Sequence, residues 1–207
     1  MPGERERNAL RFTEALKLTV EKRVFRLIQC LDPRYEDTIR SLSRFLGVAP
    51  TSFEKVLIAR MDDVIAAKRV DADLVRRTDR LGPPLRAGAA TATLPSPAET
   101  QDWQNLCRLA ATAAQDVLPM IAADAHRPRL VVHLGLIARY ELSTFLVRWL
   151  EACERDGGQA VFAVVPSEQG DDPTIDGRMP IPLASLGAQR LWVEPDWLDR
   201  QRQVGEG

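Results

Sequence analysis

Between Arg129 and Pro166 the sequence spells out a strand, a helix and a second strand. Arg129-Leu-Val-Val-His-Leu-Gly135 is a short apolar run, Leu136-Ile-Ala-Arg-Tyr140 opens a long apolar helical stretch, and Gln159-Ala-Val-Phe-Ala-Val-Val-Pro166 is the second run. Past Arg129 neither run holds a charged side chain at neutral pH. A strand wetted on one face alternates apolar and polar residues, so these two are expected to be covered on both faces, as in a parallel sheet. The expected fold is α/β, a single domain with a largely parallel sheet of four or five strands flanked by helices. Such folds bind ligands at the carboxyl ends of their strands. Those ends here present His133, Gly135, Arg139, Ser167 and Glu168.

The rest of the chain fits one domain of 207 residues with 45% hydrophobic content, enough for a sizeable core. Residues 1–81 read as a helix-rich first half, 82–98 as a linker or exposed loop, and 99–207 as the strand–helix–strand half. Residues 5–21 favour a helix. Arg23–Cys30 fits either period, and its β-branched and aromatic content tips it toward strand. Asp32 is placed to cap a helix with Pro33 at its first position. That helix should end at Gly47. Thr51 or Ser52 should cap the next, whose stripe is Val56, Leu57, Arg60, Met61 and Val64. Val70–Arg80 is charged and weakly patterned. Gly82–Pro97 is rich in proline, glycine and small residues. A helix from Glu99 to about Ala123 carries Trp103, Leu106, Leu109 and Leu118, with Pro119 placed to bend it. Pro166–Pro182 reads as a loop, Gln189–Val193 as a short strand, Glu194–Leu198 as a last helical turn, and Val204–Gly207 as a fraying end.

Several chemistries lack their signatures. No glycine precedes a lysine, so the phosphate-binding loop Gly-x-x-x-x-Gly-Lys-Ser/Thr is missing, as is Gly-x-Gly-x-x-Gly. Val131-Val132-His133 occupies the place of a magnesium-holding Walker acid, and a neutral histidine cannot replace one. Cys30, Cys107 and Cys153 are far apart, and His126 and His133 are the two histidines, so no zinc spacing arises. The cysteines read as small buried hydrophobes of a reducing compartment. No apolar run approaches the ~20 residues of a membrane span, and the N-terminus lacks the apolar core of a signal peptide. The expectation is a cytoplasmic protein with no cofactor, no metal, no assigned catalytic residue and no membrane contact. Net charge is −1, but residues 1–81 hold 17 basic against 13 acidic side chains and residues 82–207 hold 11 against 16. Either the charges are scattered over solvated faces or the first half carries a weakly basic face.

Each candidate site has two readings. His133 is a general base or hydrogen-bond donor at a strand end, or a buried histidine bonded to backbone. Arg139 and Tyr140 stand in the first turn of a helix, where an arginine helps bind anions; otherwise Arg139 pairs with Glu141 or a loop carboxylate and Tyr140 packs. Ser167 follows the second strand. The acids Glu168, Asp171, Asp172 and Asp176 lack calcium-loop spacing and read as a solvated turn. Trp192 and Trp197 can anchor an interface or pack on the sheet edge. Lys17, Lys22, Arg23, Arg26, Arg40 and Arg44 form a solvated surface or touch phosphates, which makes DNA a candidate partner. Aromatic side chains for base stacking are scarce among them.

An ordered series of segments resembles a known family. It comprises the strand ending in Leu31-Asp32-Pro33-Arg34, Trp103 with Leu106 in a long helix, and Leu134-Gly-Leu-Ile-Ala-Arg139-Tyr140. It continues through Val165-Pro166, Ile175-Asp-Gly-Arg-Met-Pro-Ile-Pro-Leu183 and Trp192-Val-Glu-Pro-Asp-Trp197-Leu198. The series, over about residues 8–200, resembles the C-terminal region of the large PglW-type proteins of bacterial phage-exclusion (BREX) systems. Those proteins resemble kinases or ATPase-like assemblies, whose motifs this chain lacks, so their activities do not carry over. The resemblance implies a non-enzymatic interaction or regulatory module of an antiviral complex, with a larger defence-system protein as partner. The alternatives from the residues are a nucleic-acid-binding protein using the first half, and a small hydrolase or nucleotide-binding enzyme around His133, Arg139 and Ser167.

Overall fold

In a computed structural model of the chain, the described residues are 3–83, 96–122, 127–153 and 159–205. Most of the expected 82–98 linker, His126 and the last two residues lie outside them. The elements follow in order as α1 (Glu4–Lys22), β1 (Phe25–Cys30), a 3₁₀ turn (Asp32–Arg34), α2 (Tyr35–Leu46), β2 (Pro50–Ser52), α3 (Phe53–Lys68), α4 (Ala72–Leu81) and α5 (Pro97–Ala122). The second half adds β3 (Arg129–Val132), α6 (Gly135–Arg139), α7 (Ser143–Cys153), β4 (Val161–Pro166), β5 (Thr174–Ile175), β6 (Met179–Pro180), α8 (Leu186–Gln189), β7 (Arg190–Trp192) and α9 (Pro195–Gly205). Five strands form one sheet in the order β2-β3-β4-β1-β7, every neighbour parallel. The α/β expectation holds. β5 and β6 form a small antiparallel pair outside it.

The pleat sends alternate residues to opposite faces, and both faces are covered. Phe25, Leu27, Val131, Val161, Ala163 and Val165 join one core. Its helical side comes from α3 (Leu57, Met61), α5 (Leu106, Val117) and α7 (Phe145, Trp149). Ile28, Cys30, Leu130, Val132, Phe162 and Val164 join the other core, against α1 (Phe12, Leu16), α2 (Ile39, Leu42) and α9 (Trp197, Leu198). Two buried sets on one strand explain why the runs carry no charge. After β1 the chain turns to the α2 face; after β4 it turns to the opposite core, which Ile175 and Ile181 enter. The neighbours β1 and β4 therefore diverge at their carboxyl ends, which makes that point a topological switch.

Several local expectations change. The long helix after β3 is two helices. Glu141 adopts φ 55°, its N–H bonds the Ala138 carbonyl and the Leu142 N–H bonds the Ile137 carbonyl, the Schellman termination. Asp32 makes no cap bond; it lies in the 3₁₀ turn, and α2 begins at Tyr35. Ser52, rather than Thr51, caps α3 by accepting the Lys55 N–H. The charged stretch after Val70 is helical, because Asp71 accepts the Asp73 and Leu74 N–H groups and starts α4. The last helical turn is the 11-residue α9.

Phe162 is fully buried in β4, within the core that also holds Ile28 and Trp197. Phe162→Ala should cost about 3–5 kcal/mol, measured as a lower urea midpoint at constant slope. An unmoved midpoint would contradict this packing.

Candidate functional site at the carboxyl edge of the sheet

His133 follows β3 in the left-handed conformation, φ 55°. Such a residue needs outside support, and its N–H donates to the Tyr35 hydroxyl at 2.8 Å. Burial pushes the Tyr35 phenol up to about 12, so it keeps its proton. The imidazole is 37% exposed, with Nε2 3.6 Å from Glu36 Oε1. Its Nδ1 lies 3.2 Å from Ser52 Oγ. The buried reading of His133 is therefore corrected: the ring is half-open, and its backbone N–H meets a side chain. Ser52, Tyr35 and Glu36 were missed because their meeting with His133 spans 81 to 98 residues of chain for Ser52 and Tyr35. Ser52 carried a legible signal, but only as a helix cap.

Serine, histidine and carboxylate in contact are the parts of an acyl-transfer site. Two features of this edge work against that chemistry. Ser52 Oγ also accepts the Lys55 N–H at 3.4 Å, and more negative charge converges nearby. A Cβ on Gly135 would stand 2.9 Å from Asp176 Oδ2 and 3.0 Å from Glu54 Oε1, so the two carboxylates crowd the start of α6. Carboxylates this near oppose a developing oxyanion, which catalysis must stabilise. Among the described residues, no group of three or more His, Cys, Asp or Glu is arranged to hold a metal ion.

Ser167 sits at the switch between β1 and β4. Its N–H donates to the Cys30 carbonyl at 2.9 Å, and its Oγ accepts from Gln29 Nε2 at 2.9 Å. It is 138 residues from Gln29 in sequence, and its hydroxyl also donates to the Glu168 carbonyl. Gln29 is fully buried, and its Oε1 has no hydrogen-bond partner among the described residues. Ser167 and His133 share the edge without any bond between them among those observed.

Arg139 closes α6 instead of opening a helix, so the helix-start placement is corrected and the helix-dipole argument for anion binding falls away. Its Nε donates to Asp79 Oδ1 at 3.0 Å, and the Tyr140 hydroxyl donates to the same oxygen at 2.8 Å. Its guanidinium also lies 5.8 Å from the Trp103 ring centroid. Burial pulls the Arg139 pKa down, but the bond and charge of Asp79 outweigh it and the net direction is up. Burial raises the Tyr140 phenol, and the Asp79 bond adds to it. The pair fastens α4 to the α6–α7 junction. The expected loop carboxylate is on α4, within the stretch whose sequence is charged and weakly patterned.

Trp192, on the edge strand β7, walls a cavity of about 250 Å³ over the carboxyl ends of β1 and β7. Leu31, Arg34, Gln169, Glu194 and Leu198 share the lining. Trp197 does not face outward: at 1% exposure it packs edge-on against Phe12 and Phe45, with ring centroids 4.9 and 5.9 Å away. Its predicted docking role gives way to core closure, because α9 is a full amphipathic helix rather than a surface turn. Of the basic candidates, Arg23 ends α1 at φ 52°. Arg26 is half-buried and donates to Thr19 Oγ1. Arg40 pairs with Asp37, and Arg44 donates to the Gln201 carbonyl. Three of the four are thus engaged within the protein. Among the described residues, no helix is long and apolar enough to cross a membrane.

No protein-family model matches the chain, and comparison with curated proteins and with solved structures finds no match either.

The Asp79 carboxylate satisfies the hydroxyl of Tyr140, which is buried. Asp79→Ala should destabilise by about 1–3 kcal/mol, the cost of stranding a buried polar group; the partly exposed Arg139 pair adds little. Adding Tyr140→Phe should recover part of the loss in urea denaturation. A double variant no more stable than Asp79→Ala would show that the hydroxyl is not the cause.

Proposed function

We propose that the chain is a non-catalytic interaction module of a bacterial antiviral assembly, binding a larger defence-system protein through the carboxyl edge of its sheet. The observation that carries the binding role is the open cavity under Trp192, about 250 Å³, at the end of the sheet where α/β folds take ligands. The ordered resemblance to the C-terminal region of PglW-type proteins supplies the antiviral context. The sequence lacks the phosphate loop and Walker acid of a nucleotide hydrolase, in keeping with a module that serves a catalytic partner.

The test is capture from the native host with a tag at the chromosomal locus, and phage plating on the same strains. A large kinase- or ATPase-bearing protein encoded alongside should copurify. Trp192→Ala should reduce its recovery at least tenfold and raise plating efficiency, with the melting temperature shifted by only a few degrees. Unchanged protection against phage in the deletion strain would overturn the antiviral role.

A second reading, a small hydrolase, is favoured by one observation: the 3.2 Å approach of Ser52 Oγ to His133 Nδ1. A fluorophosphonate probe separates the two. The module reading expects Ser52 to stay unlabelled. Labelling of Ser52 that disappears in His133→Ala would install the hydrolase in its place.

A further inference from the structure

Three guanidinium groups share one carboxylate beside the Trp192 cavity. Asp37 of α2 takes Arg34 at 3.9 Å and Arg40 at 2.5 Å, and Arg202 of α9 contacts the same carboxylate. The three arginine side chains are 40%, 71% and 46% exposed, and Asp37 is 19% exposed. Asp37 alone offsets at most one of these three open positive charges. Arg34 belongs to both features: it pairs with Asp37 and lines the cavity. Leu31, also in the lining, is a large apolar side chain left 39% exposed. Cys30 in the same wall is inert as a nucleophile, since burial pushes its thiol up to about 11.

The geometry points to an acidic peptide segment as the occupant of this edge, with an aromatic or large aliphatic side chain seated in the cavity against Trp192 and carboxylates on Arg34 and Arg202. This rests on the module reading and names the chemistry of the partner. An apolar anchor in a pocket, rimmed by arginine, is the arrangement of interface hot spots, and the arginine fork matches carboxylates bidentately. The turn after β1 argues against a nucleotide. A phosphate there needs free backbone N–H groups and glycine, whereas this turn offers no glycine and offers Pro33, which has no N–H. Glu194 lines the cavity too, Asp32 acts on the Cys30 thiol in the same wall, and both repel acids near them. The carboxylates of the peptide therefore lie on one side of its anchor, the side of the arginines.

The experiment is selection of a random dodecapeptide library on the whole chain, with counter-selection on an Arg34→Ala/Arg202→Ala variant of unchanged circular dichroism. Enriched peptides should carry one aromatic or large aliphatic residue with Asp or Glu clustered on one side. Synthetic versions should bind the double variant at least tenfold more weakly in fluorescence anisotropy. Leu31→Asp, a surface change that spares the core, should weaken them as much. Enrichment without acids, or binding indifferent to all three substitutions, would overturn the proposal, as would ATP displacing the peptides at micromolar concentration. Failure here with intact dependence of partner capture on Trp192 would leave the module reading standing and remove only the acidic-peptide chemistry.

Discussion

Six consecutive residue pairs join β1 to β4, from Phe25 opposite Val161 to Cys30 opposite Pro166. They pair two segments well over 100 residues apart, and everything else in the fold leans on them. β1 lies between β4 and β7, so its backbone groups are satisfied on both edges, and its side chains feed both cores. A pairing this distant recovers its loop-closure entropy only after the intervening helices are placed. The two helical layers cannot complete independently. α2 and α9 cover residues of β1 and β4 on one face while α5 and α7 cover the other.

The same pairing creates the edge where the candidate site lies. Strands that run together from residue 25 to residue 30 separate where their connections leave for opposite faces. At that divergence Gln29 and Ser167 bond across the switch, and the cavity under Trp192 opens beside it. The polar groups farther along the edge are fixed by helix starts. Tyr35 begins α2 and Ser52 caps α3, and each reaches His133 from its own helix. Rigid elements thus hold the edge, although the residues that form it come from every part of the chain.

What the sequence revealed followed from short-range physics. Charge-free runs betrayed β3 and β4 because both of their faces are buried, and Gly47 marked the end of α2 because it adopts φ 65°. Two other helix ends were hard to read for a physical reason. α3 and α6 end at Arg69 and Glu141, each in the left-handed conformation that glycine usually signals; α1 ends the same way at Arg23, although its span of Glu4–Lys22 matches the expected 5–21 closely. Without that signal α6 and α7 read as one helix, and Arg139 appeared at its start rather than at the end of its first piece. The polar partnerships were hidden in the same way: Asp79 holds Arg139 across 60 residues, and no local pattern records such a distance.

Charge illustrates the limit most sharply, because the sequence balance and the spatial balance differ. The net charge of −1 predicts no strong field. On the folded edge, however, charges from distant segments gather into groups. Glu54 and Asp176 converge over Gly135 near the end of β3, with Glu36 at the His133 ring. Arg34, Arg40 and Arg202 gather on Asp37 near the ends of β1 and β7. One of those arginines comes from the acidic second half of the sequence and two from the basic first half, so counting by halves divides what the fold unites. A near-neutral chain can in this way gather like charges locally, and such groups orient a charged partner as well as attracting it. On the proposed module reading, a partner's polarity along the sheet edge would be set by α2 and α9, the helices that bring the arginines together.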